Sequence, residues 1–337
     1  MAGYHHRTDR RRHHDTHCGR LVRWSRSFLS RLRGLVRVRT LHSAHPTQCR
    51  ERYIGDDATL VNSMSDEEWF NVLCLSARQP MRGVDGAPLP TFPPDALQIA
   101  TVGAAGEEAL REAWTFAADC ITRFRASPRW HSANKTLLDF GVGWGRIARC
   151  FLRDFQPPNI VGIDIDDNLL SVCRETFGAT QFLLCHPFPP SDLKDQSIDF
   201  VVGYSVFSHL SEAACLAWIE EFARLLRPGG MIALTTRGRW FFDKAKRLKV
   251  FGQDPHSRML ANMFDDFAKA KARYDRGEFV HANIGGGGVR GADFYGETFI
   301  PGPYARTAYS AHFAFLEFFE GHGHPIMFFK KPSHLST

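Results

Sequence analysis

The sequence predicts an α/β fold with a doubly wound, mostly parallel seven-stranded sheet, helices on both faces and an antiparallel last hairpin. Five short apolar runs alternate with amphipathic stretches, which is typical of parallel strands joined by right-handed helical crossovers. A glycine-rich turn follows the first run, and two Phe-rich runs near the C terminus predict the hairpin. In chain order the seven runs are KTLLDFG, NIVGIDI, QFLLC, IDFVVGY, MIALTT, FAFLEFFE and IMFFKK.

Basic residues are concentrated at the start of the chain. The first 40 residues contain 11 arginines and two aspartates, whereas the remainder contains 31 basic and 34 acidic residues. We therefore expect no stable nucleic-acid binding from the body of the protein. We predict that residues 1–64 form a basic arm that is disordered or weakly helical. Within it, residues 21–39 have the apolar spacing of an amphipathic helix.

Three functions are open for this arm. It is a solvated tail, a weak contact for an anionic surface such as a membrane or a nucleic acid, or a transit segment. A further hypothesis places the translation start at Met64, because MSDEEWF resembles a helix N-terminus with Ser65 as its cap. Native peptides from upstream of Met64 would exclude that start.

Residues 65–130 predict a helical cap and a linker in front of the main domain. Residues 66–77 and 107–125 have helical periodicity, and the Pro- and Gly-rich stretch 79–94 between them cannot continue a helix. The main domain is predicted over residues 131–337. Its helical stretches are expected near 145–155, 167–177 and 211–226, with a loop or single turn between the third and fourth strands.

An insert at about residues 239–296 follows the fifth strand. It contains two helix-prone stretches, 240–250 and 257–274, and then the elements GGGG and FYGETF. Its position predicts that it covers a site at the sheet edge, and its glycines are compatible with a mobile lid or a slack surface loop.

Composition excludes several other classes of protein. No stretch of about 18 apolar residues is present, so we expect no transmembrane helix and a cytoplasmic location. The eight cysteines are scattered singly, which predicts reduced, mostly buried thiols and no metal site.

The glycine turn LLDFGVGWGR carries the first indication of a ligand. In an open α/β sheet, ligands bind beyond the carboxyl ends of the strands. Such an end is followed here by Gly141, Gly143 and Gly145. A dinucleotide fingerprint would need its third glycine at position 146, where this chain has Arg146. Asp139 would also repel a pyrophosphate. A ligand with an amino group for Asp139 and a carboxylate for the free N–H groups of the helix predicted after the turn fits better.

A second acid follows the second strand. Asp164 in GIDID lies at a position from which a carboxylate can accept hydrogen bonds from two ribose hydroxyls. The alternative is a structural role in a turn. Asp166 and Asp167 are the better candidates for capping the next helix, which leaves Asp164 for a ligand.

Together these motifs resemble class I S-adenosylmethionine-dependent methyltransferases. LLDFGVGWGR is similar to the family's first motif, GIDID to its second-strand acid, IDFVVGYSVFSHL to its fourth-strand segment and ARLLRPGGMIALTT to the turn before its fifth strand. The four motifs occur in order over about residues 135–238. The resemblance implies a Rossmann-like methyltransferase fold, methyl transfer and S-adenosylmethionine as the cofactor.

The resemblance also implies roles for individual residues. The first acid and the glycines would hold the methionine part, Asp164 the ribose, and the residues after the third and fourth strands the adenine and the methyl region. Cys185 and His186 depart from the acidic and small residues that many members have there, and Trp144 would shield the cofactor or simply pack. The implied cofactor-binding residues are Asp139, Gly141, Gly143, Gly145, Asp164, Ile165, Cys185, His186, Tyr204 and Ser205.

The acceptor is less specified by the sequence. His209 in YSVFSHL is the candidate base, because it follows the fourth strand and can titrate near neutrality; the alternative is a histidine that caps or packs the next helix. His186, His281, His322 and His324 are weaker candidates. We expect an oxygen acceptor on a small molecule or saccharide. The alternatives are an RNA or protein methyltransferase that uses the arm, an inactive cofactor-binding module, and an NAD-dependent oxidoreductase. The oligomeric state stays open.

Overall fold

A central sheet of seven strands organises the protein in the computed structural model. The model describes residues 36–40, 50–54, 64–82, 88–178, 180–252, 254–321 and 323–333. In those residues the strands are β1 Val36–Thr40, β2 Arg50–Ile54, β3 Met81–Arg82, β4 Pro88–Leu89, β5 Leu137–Phe140, β6 Ile160–Asp164, β7 Gln181–Leu184, β8 Ile198–Gly203, β9 Leu226–Thr235, β10 Val280–Ala282, β11 Glu297–Phe299, β12 Ala314–Phe319 and β13 Ile326–Lys330.

The central sheet has the predicted topology. Its strand order is β12-β13-β9-β8-β5-β6-β7. The strands from β5 to β9 pair in parallel, whereas β13 pairs antiparallel with both β9 and β12. The chain order therefore reverses between β5 and β8, and a crevice opens there at the carboxyl ends of the strands.

Helices cover both faces of this sheet. Leu137 and Leu138 enter two different core clusters, because successive side chains of a strand point to opposite faces. α3 and α4 contribute to the first cluster, and α5 and α9 to the second. The helices are α1 Asp66–Ser76, α2 Asp95–Val102, α3 Gly106–Phe124, α4 Asp167–Thr176, α5 Glu212–Leu225, α6 Trp240–Phe251, α7 Pro255–Ala261, α8 Phe267–Asp275 and α9 Gly302–Ala308.

The start of α1 forms as the sequence predicts. Ser65 accepts a hydrogen bond from the Glu68 N–H, and the Glu68 carboxylate accepts one from the Ser65 N–H. This capping box satisfies two N–H groups that a helix end otherwise leaves free. The translation start at Met64 stays a hypothesis.

The prediction of a helix near residues 145–155 is wrong. The segment consists of turns and a short 3₁₀ helix, Ala148–Phe151. Two buried guanidinium groups hold it against the N-terminal elements. Arg149 donates to the Pro90 carbonyl at 3.1 Å, and Arg153 donates to the Met64 carbonyl at 3.3 Å. These tertiary contacts override the local helical periodicity.

The insert differs from its prediction in two respects. The helix predicted over 257–274 is divided into α7 and α8, because Asp266 caps a new helix by accepting from the Ala268 and Lys269 N–H groups. The FYGETF element is also fixed rather than mobile. Phe294 and Phe299 are buried, and the last three of these residues form β11, which pairs with β10.

Part of the arm is extended. β1 and β2 pair antiparallel and join β3 and β4 in a four-stranded sheet, so the amphipathic helix predicted over 21–39 does not include residues 36–39. The rest of that prediction lies outside the described residues. Among the helices that are described, none has the length and apolarity to span a bilayer.

Candidate active site

The glycine turn after β5 has the backbone that its sequence requires. Gly141, Gly143 and Gly145 have φ values of +72°, +55° and +81°, a region that side chains with a Cβ rarely adopt. A Cβ at Gly141 would approach Val206 within 2.3 Å, and one at Gly145 would approach Phe177 equally closely. A Cβ at Gly143 would meet nothing within 4 Å. The middle of the turn is therefore open to a ligand.

Asp139 is buried beneath this turn. Its Oδ2 atom has no hydrogen-bond partner, which is uncommon for a buried carboxylate oxygen. Burial raises the pKa of Asp139 to about 7, with a smaller contribution from Asp164, while the Ala148 N–H and Arg146 act in the opposite direction. The carboxylate can therefore stabilise a cation placed against it.

Asp164 lies at the end of β6, and hydrogen bonds orient both of its carboxylate oxygens. Oδ2 accepts from the Gly143 N–H at 2.8 Å, and Oδ1 accepts from the Asp166 N–H at 3.0 Å. Burial raises the pKa of Asp164, although these two N–H groups and Arg290 lower it. Each oxygen keeps a further lone pair, so the carboxylate can accept from two neighbouring hydroxyls of a ligand.

The residues after β6 and β7 lie beside Asp164. The Cys185 N–H donates to the Asp164 carbonyl at 2.9 Å, and burial raises the pKa of the thiol to about 12. Ile165 packs on the core next to Cys185, whereas His186 is exposed. The thiol is therefore neutral, and this part of the site offers an apolar wall rather than charge.

Tyr204 follows β8 and faces α3. Its hydroxyl donates to the Glu112 carboxylate at 2.7 Å, and the other oxygen of that carboxylate accepts from Arg146 at 2.6 Å. The Arg146 guanidinium lies 5.1 Å from the centre of the Tyr204 ring. Arg146, which stands where a dinucleotide fold has glycine, thus ties the glycine turn to the N-terminal helix. A narrow cleft of about 10 Å³ lies beside Tyr204 and His324.

Trp144 has a packing role. Its side chain is buried, its indole N–H donates to the Thr101 hydroxyl at 3.1 Å, and its ring meets Phe92 edge to face. Trp144 therefore fixes the linker over the turn.

Ser205 and His209 form a polar pair in the loop after β8. Ser205 has a φ of +59°, a strained value for serine, and its N–H donates to the Thr235 hydroxyl at 2.6 Å. Its Oγ lies 3.3 Å from His209 Nε2. His209 Nδ1 lies 2.8 Å from the Gly296 carbonyl, which can only accept, so Nδ1 carries the proton. The lone pair of His209 is therefore on Nε2.

His209 stays neutral at physiological pH. Burial and the nearby Arg237 lower its pKa well below the ordinary value, against the opposing effect of the Gly296 carbonyl. Its ring stacks on Tyr295 with the ring centres 4.8 Å apart. The predicted alternative of a helix cap does not apply, because Ser211 caps α5.

A buried ion pair stands beside His209. Arg237 donates to both oxygens of Glu297, at 2.5 and 3.2 Å. Its remaining donors reach His209 Nε2 at 3.3 Å and His324 Nε2 at 3.1 Å. Burial, Arg237 and His209 lower the pKa of His324 to about 3. One guanidinium thus orients two neutral imidazoles at the carboxyl ends of β8 and β9.

The insert covers this part of the crevice. The Gly296 N–H donates to the His209 carbonyl at 2.7 Å, and the Thr298 N–H donates to the Ser208 carbonyl at 2.8 Å. Arg290 approaches the Asp166 carboxylate at 3.5 Å. The insert therefore closes over both the base candidate and the second acid.

The structure brings most of the predicted residues to one crevice and adds others. The two acids, the glycine turn, Ser205 and His209 lie at the carboxyl ends of β5, β6 and β8, whereas His186 is exposed and His281 lies within the insert. Sequence reasoning missed Arg237 and Glu297. Arg237 could have been found, because it follows the fifth strand within two residues of its end.

Comparison with known proteins identifies the domain. The family model described as "Methyltransferase domain" matches residues 137–230, from the first residue of β5 into β9. Residues 137–230 are therefore a methyltransferase domain. The enzyme is a methyltransferase, and S-adenosylmethionine is its cofactor. A comparison with curated proteins gives no match.

Several solved methyltransferase structures are similar to the chain. An S-adenosylmethionine-dependent methyltransferase from Methanosarcina mazei is 17% identical, with a TM-score of 0.38, and the match covers 61% of this chain and 96% of that one. The amino pentose methyltransferase CalS10 from Micromonospora echinaspora is 16% identical, with a TM-score of 0.39 and coverages of 64% and 89%. A protein from Pyrococcus horikoshii is 14% identical, with a TM-score of 0.43 and coverages of 69% and 95%.

The residues present fit this cofactor. Asp139 Oδ2 is a buried acceptor without a partner, the position of a Gly143 Cβ is open, and the Asp164 carboxylate is held ready by two N–H groups. These features suit an ammonium group, a closely approaching chain and a pair of ribose hydroxyls.

Proposed function

We propose that the enzyme methylates an oxygen atom of a small molecule or saccharide, with His209 accepting the proton that the hydroxyl loses. The observation that carries this proposal is the neutral His209 imidazole, whose Nδ1 is fixed on the Gly296 carbonyl and whose Nε2 keeps its lone pair beside Ser205 Oγ and Arg237. A hydroxyl needs a base when it is methylated, whereas an unprotonated amine does not.

In the proposed site, Asp139 and the glycine turn hold the methionine end and Asp164 holds the ribose. Cys185 and Ile165 border the adenine, and Tyr204 and Ser205 border the methyl region. S-adenosylmethionine, when bound, supplies a methyl group on a sulfonium, which is a good leaving group. The main task of the chain's own residues is then to position the acceptor.

His209 is the proposed catalytic residue. An acceptor hydroxyl takes the place of Ser205 Oγ and of the Arg237 N–H as the hydrogen-bond donor to Nε2. The proton moves to Nε2 as the methyl group leaves the sulfonium sulfur for the oxygen. Glu297 Oε1 lies 3.5 Å from Nδ1 and offsets the positive charge that forms beside Arg237. Arg237 and Glu297 are positioning residues, because they act through the imidazole.

The enclosed geometry supports a small acceptor. Tyr295 stacks on His209, and Arg290 reaches across to Asp166, so the insert encloses the imidazole. The cleft beside Tyr204 is narrow, with a volume of about 10 Å³. An RNA or a folded protein would need a wider opening or an extruded nucleotide or side chain.

An acceptor screen tests the proposal. The purified enzyme is incubated with S-adenosylmethionine and, in separate pools, with hydroxyl-bearing small molecules, saccharides, RNA and protein, and the products are examined for the mass of one added methyl group. We expect methylation in the first two pools, lost in His209→Ala. Methylation only of RNA or protein would contradict the proposal. S-adenosylmethionine binding without turnover in any pool would support the inactive module.

A further inference from the structure

α6 carries an aromatic and basic stripe on its solvent face. Trp240, Lys244, Arg247 and Phe251 are spaced four, three and four residues apart, so they lie along one line of the helix. Trp240 is 47% exposed and Phe251 is 74% exposed, and both basic residues between them are exposed. The Lys244 ammonium lies 5.6 Å from the centre of the Trp240 ring.

The orientation of the helix is fixed from its other side. Phe241, Phe242 and Ala245 are buried in the core of the insert, and the rings of Phe242 and Phe299 stack with their centres 3.9 Å apart. Because this opposite face is packed, the stripe must face outward. Its apolar residues therefore cannot be buried by a rotation of α6.

The charge of this surface differs from that of the body. Residues 239–258 contain six basic and two acidic residues, whereas the chain beyond residue 40 has three more acidic than basic residues. Asp243 is paired with Lys271. None of the four cations of α6 forms an ion pair with another described residue; they are Lys244, Lys246, Arg247 and Lys249.

Two apolar side chains stand at the end of the helix. Val250 is 77% exposed and Phe251 is 74% exposed, immediately before Gly252. A Cβ at Gly252 would approach the Leu248 carbonyl within 2.7 Å, so the chain turns tightly there. The tip of α6 thus presents an aliphatic and an aromatic side chain next to its cations.

We propose that this surface, the α6 face formed by Trp240, Lys244, Arg247, Val250 and Phe251, docks on a lipid bilayer that carries anionic headgroups. Cations at a bilayer surface are attracted by the headgroups, and aromatic and aliphatic side chains enter the boundary with the acyl chains. The chain's own basic arm has the same sign of charge, which disfavours it as the occupant. A nucleic acid would satisfy the cations but offers no apolar medium for Val250.

α6 lies between the docking surface and the site. The guanidinium of Arg237 lies 4.4 Å from the centre of the Phe241 ring, on the buried face at the start of α6. Binding through the α6 face therefore leaves one helix between the bilayer and Arg237. The inference concerns the binding surface and does not depend on which acceptor is methylated.

Co-sedimentation of the full chain with vesicles tests the apolar part of the surface. The vesicles are phosphatidylcholine mixed with phosphatidylglycerol, compared with phosphatidylcholine alone. We expect wild type to bind the mixed vesicles and the double variant Val250→Ser, Phe251→Ser to bind them about tenfold more weakly. The control is Leu316→Ser, another exposed apolar residue, on β12.

A charge variant tests the electrostatic part. Lys244→Gln with Arg247→Gln should weaken binding by about 30-fold, whereas Arg78→Gln, another exposed cation, should change it little. The basic arm is present in every variant, so its contribution cancels. Unchanged circular dichroism and melting temperature confirm that each variant is folded.

Two results would overturn the inference. The first is that both double variants bind the mixed vesicles as tightly as their controls do. The second is that the wild type binds a single-stranded oligonucleotide and no vesicle, which would assign the α6 face to a nucleic acid.

Discussion

His209 Nε2 lies 3.3 Å from Nη2 of Arg237, which is itself held by both oxygens of Glu297. The proposed base therefore has its lone pair next to a guanidinium, whose positive charge disfavours the imidazolium form. This relationship couples the proton acceptor to an ion pair whose two residues flank the insert.

Removal of the imidazole should affect turnover far more than cofactor binding. His209→Ala is expected to lower kcat by about 100-fold or more, the usual effect of losing a general base, while the Kd for S-adenosylmethionine changes by less than about twofold. Steady-state kinetics and calorimetry measure the two effects. The control is His131→Ala, an exposed histidine on another surface. Full activity in His209→Ala would assign the residue to packing.

Asp164→Ala should weaken S-adenosylmethionine binding by at least about tenfold, since hydrogen bonds to a charged group contribute about 1.5–3 kcal/mol each. Asp167→Ala is the matched control, because Asp167 is exposed and pairs with Arg174 on the surface. Calorimetric titration of both variants with the cofactor gives the comparison. Equal affinity in the two variants would remove Asp164 from the binding site.

The open space at Gly143 gives a steric test. Gly143→Ala and Gly103→Ala each place a Cβ at a positive φ, and neither Cβ would meet a protein atom within 4 Å. Both variants should therefore lose a similar amount of stability, roughly 1 kcal/mol. Only Gly143→Ala should also lose cofactor affinity. If both bound S-adenosylmethionine like wild type, the turn would not approach the ligand closely.

Glu297 should matter for stability. Glu297→Gln leaves the Arg237 guanidinium buried without a countercharge, which we expect to lower the free energy of unfolding by about 3 kcal/mol. Glu278→Gln, on an exposed pair with Arg273 and Arg276, should leave it unchanged. Urea unfolding measures both. An unaffected Glu297→Gln would show that the pair contributes little to the fold.

Acid should destabilise the protein through His324. Its pKa is about 3 in the folded state and about 6.5 when unfolded, so the unfolded chain binds more protons between those values. Stability therefore rises with pH from about 3 to 6.5. The charged groups facing the ring are Arg237 and Glu112, with His209 beside them. His324→Gln should flatten this dependence in unfolding experiments at several pH values, and an unchanged slope would contradict it.

The sequence was sufficient for the sheet and much of the crevice. The alternation of runs predicts the strands, and the position of Asp139, the glycines and Asp164 after strand ends predicts their convergence. Parallel strands bring their carboxyl ends to one edge of the sheet, and the motifs indicate that the strands are parallel.

Other features depend on contacts that local periodicity does not contain. Arg149 and Arg153 reach carbonyl groups far away in the chain, and these bonds replace the helix predicted over 145–155. Glu297 is 60 residues from Arg237, and their pairing arises only when the insert folds back on β9. His209 was predicted from its place after β8, but its neutral state follows from burial beside that distant pair.

The central claim is that the glycine turn with Asp139 and Asp164 binds S-adenosylmethionine rather than a dinucleotide. Calorimetric titration of the wild-type protein with S-adenosylmethionine, beside an identical titration with NAD, tests it most directly. The account predicts saturable binding of S-adenosylmethionine at one site per chain and no heat of binding for NAD. Binding of NAD with no binding of S-adenosylmethionine would contradict it.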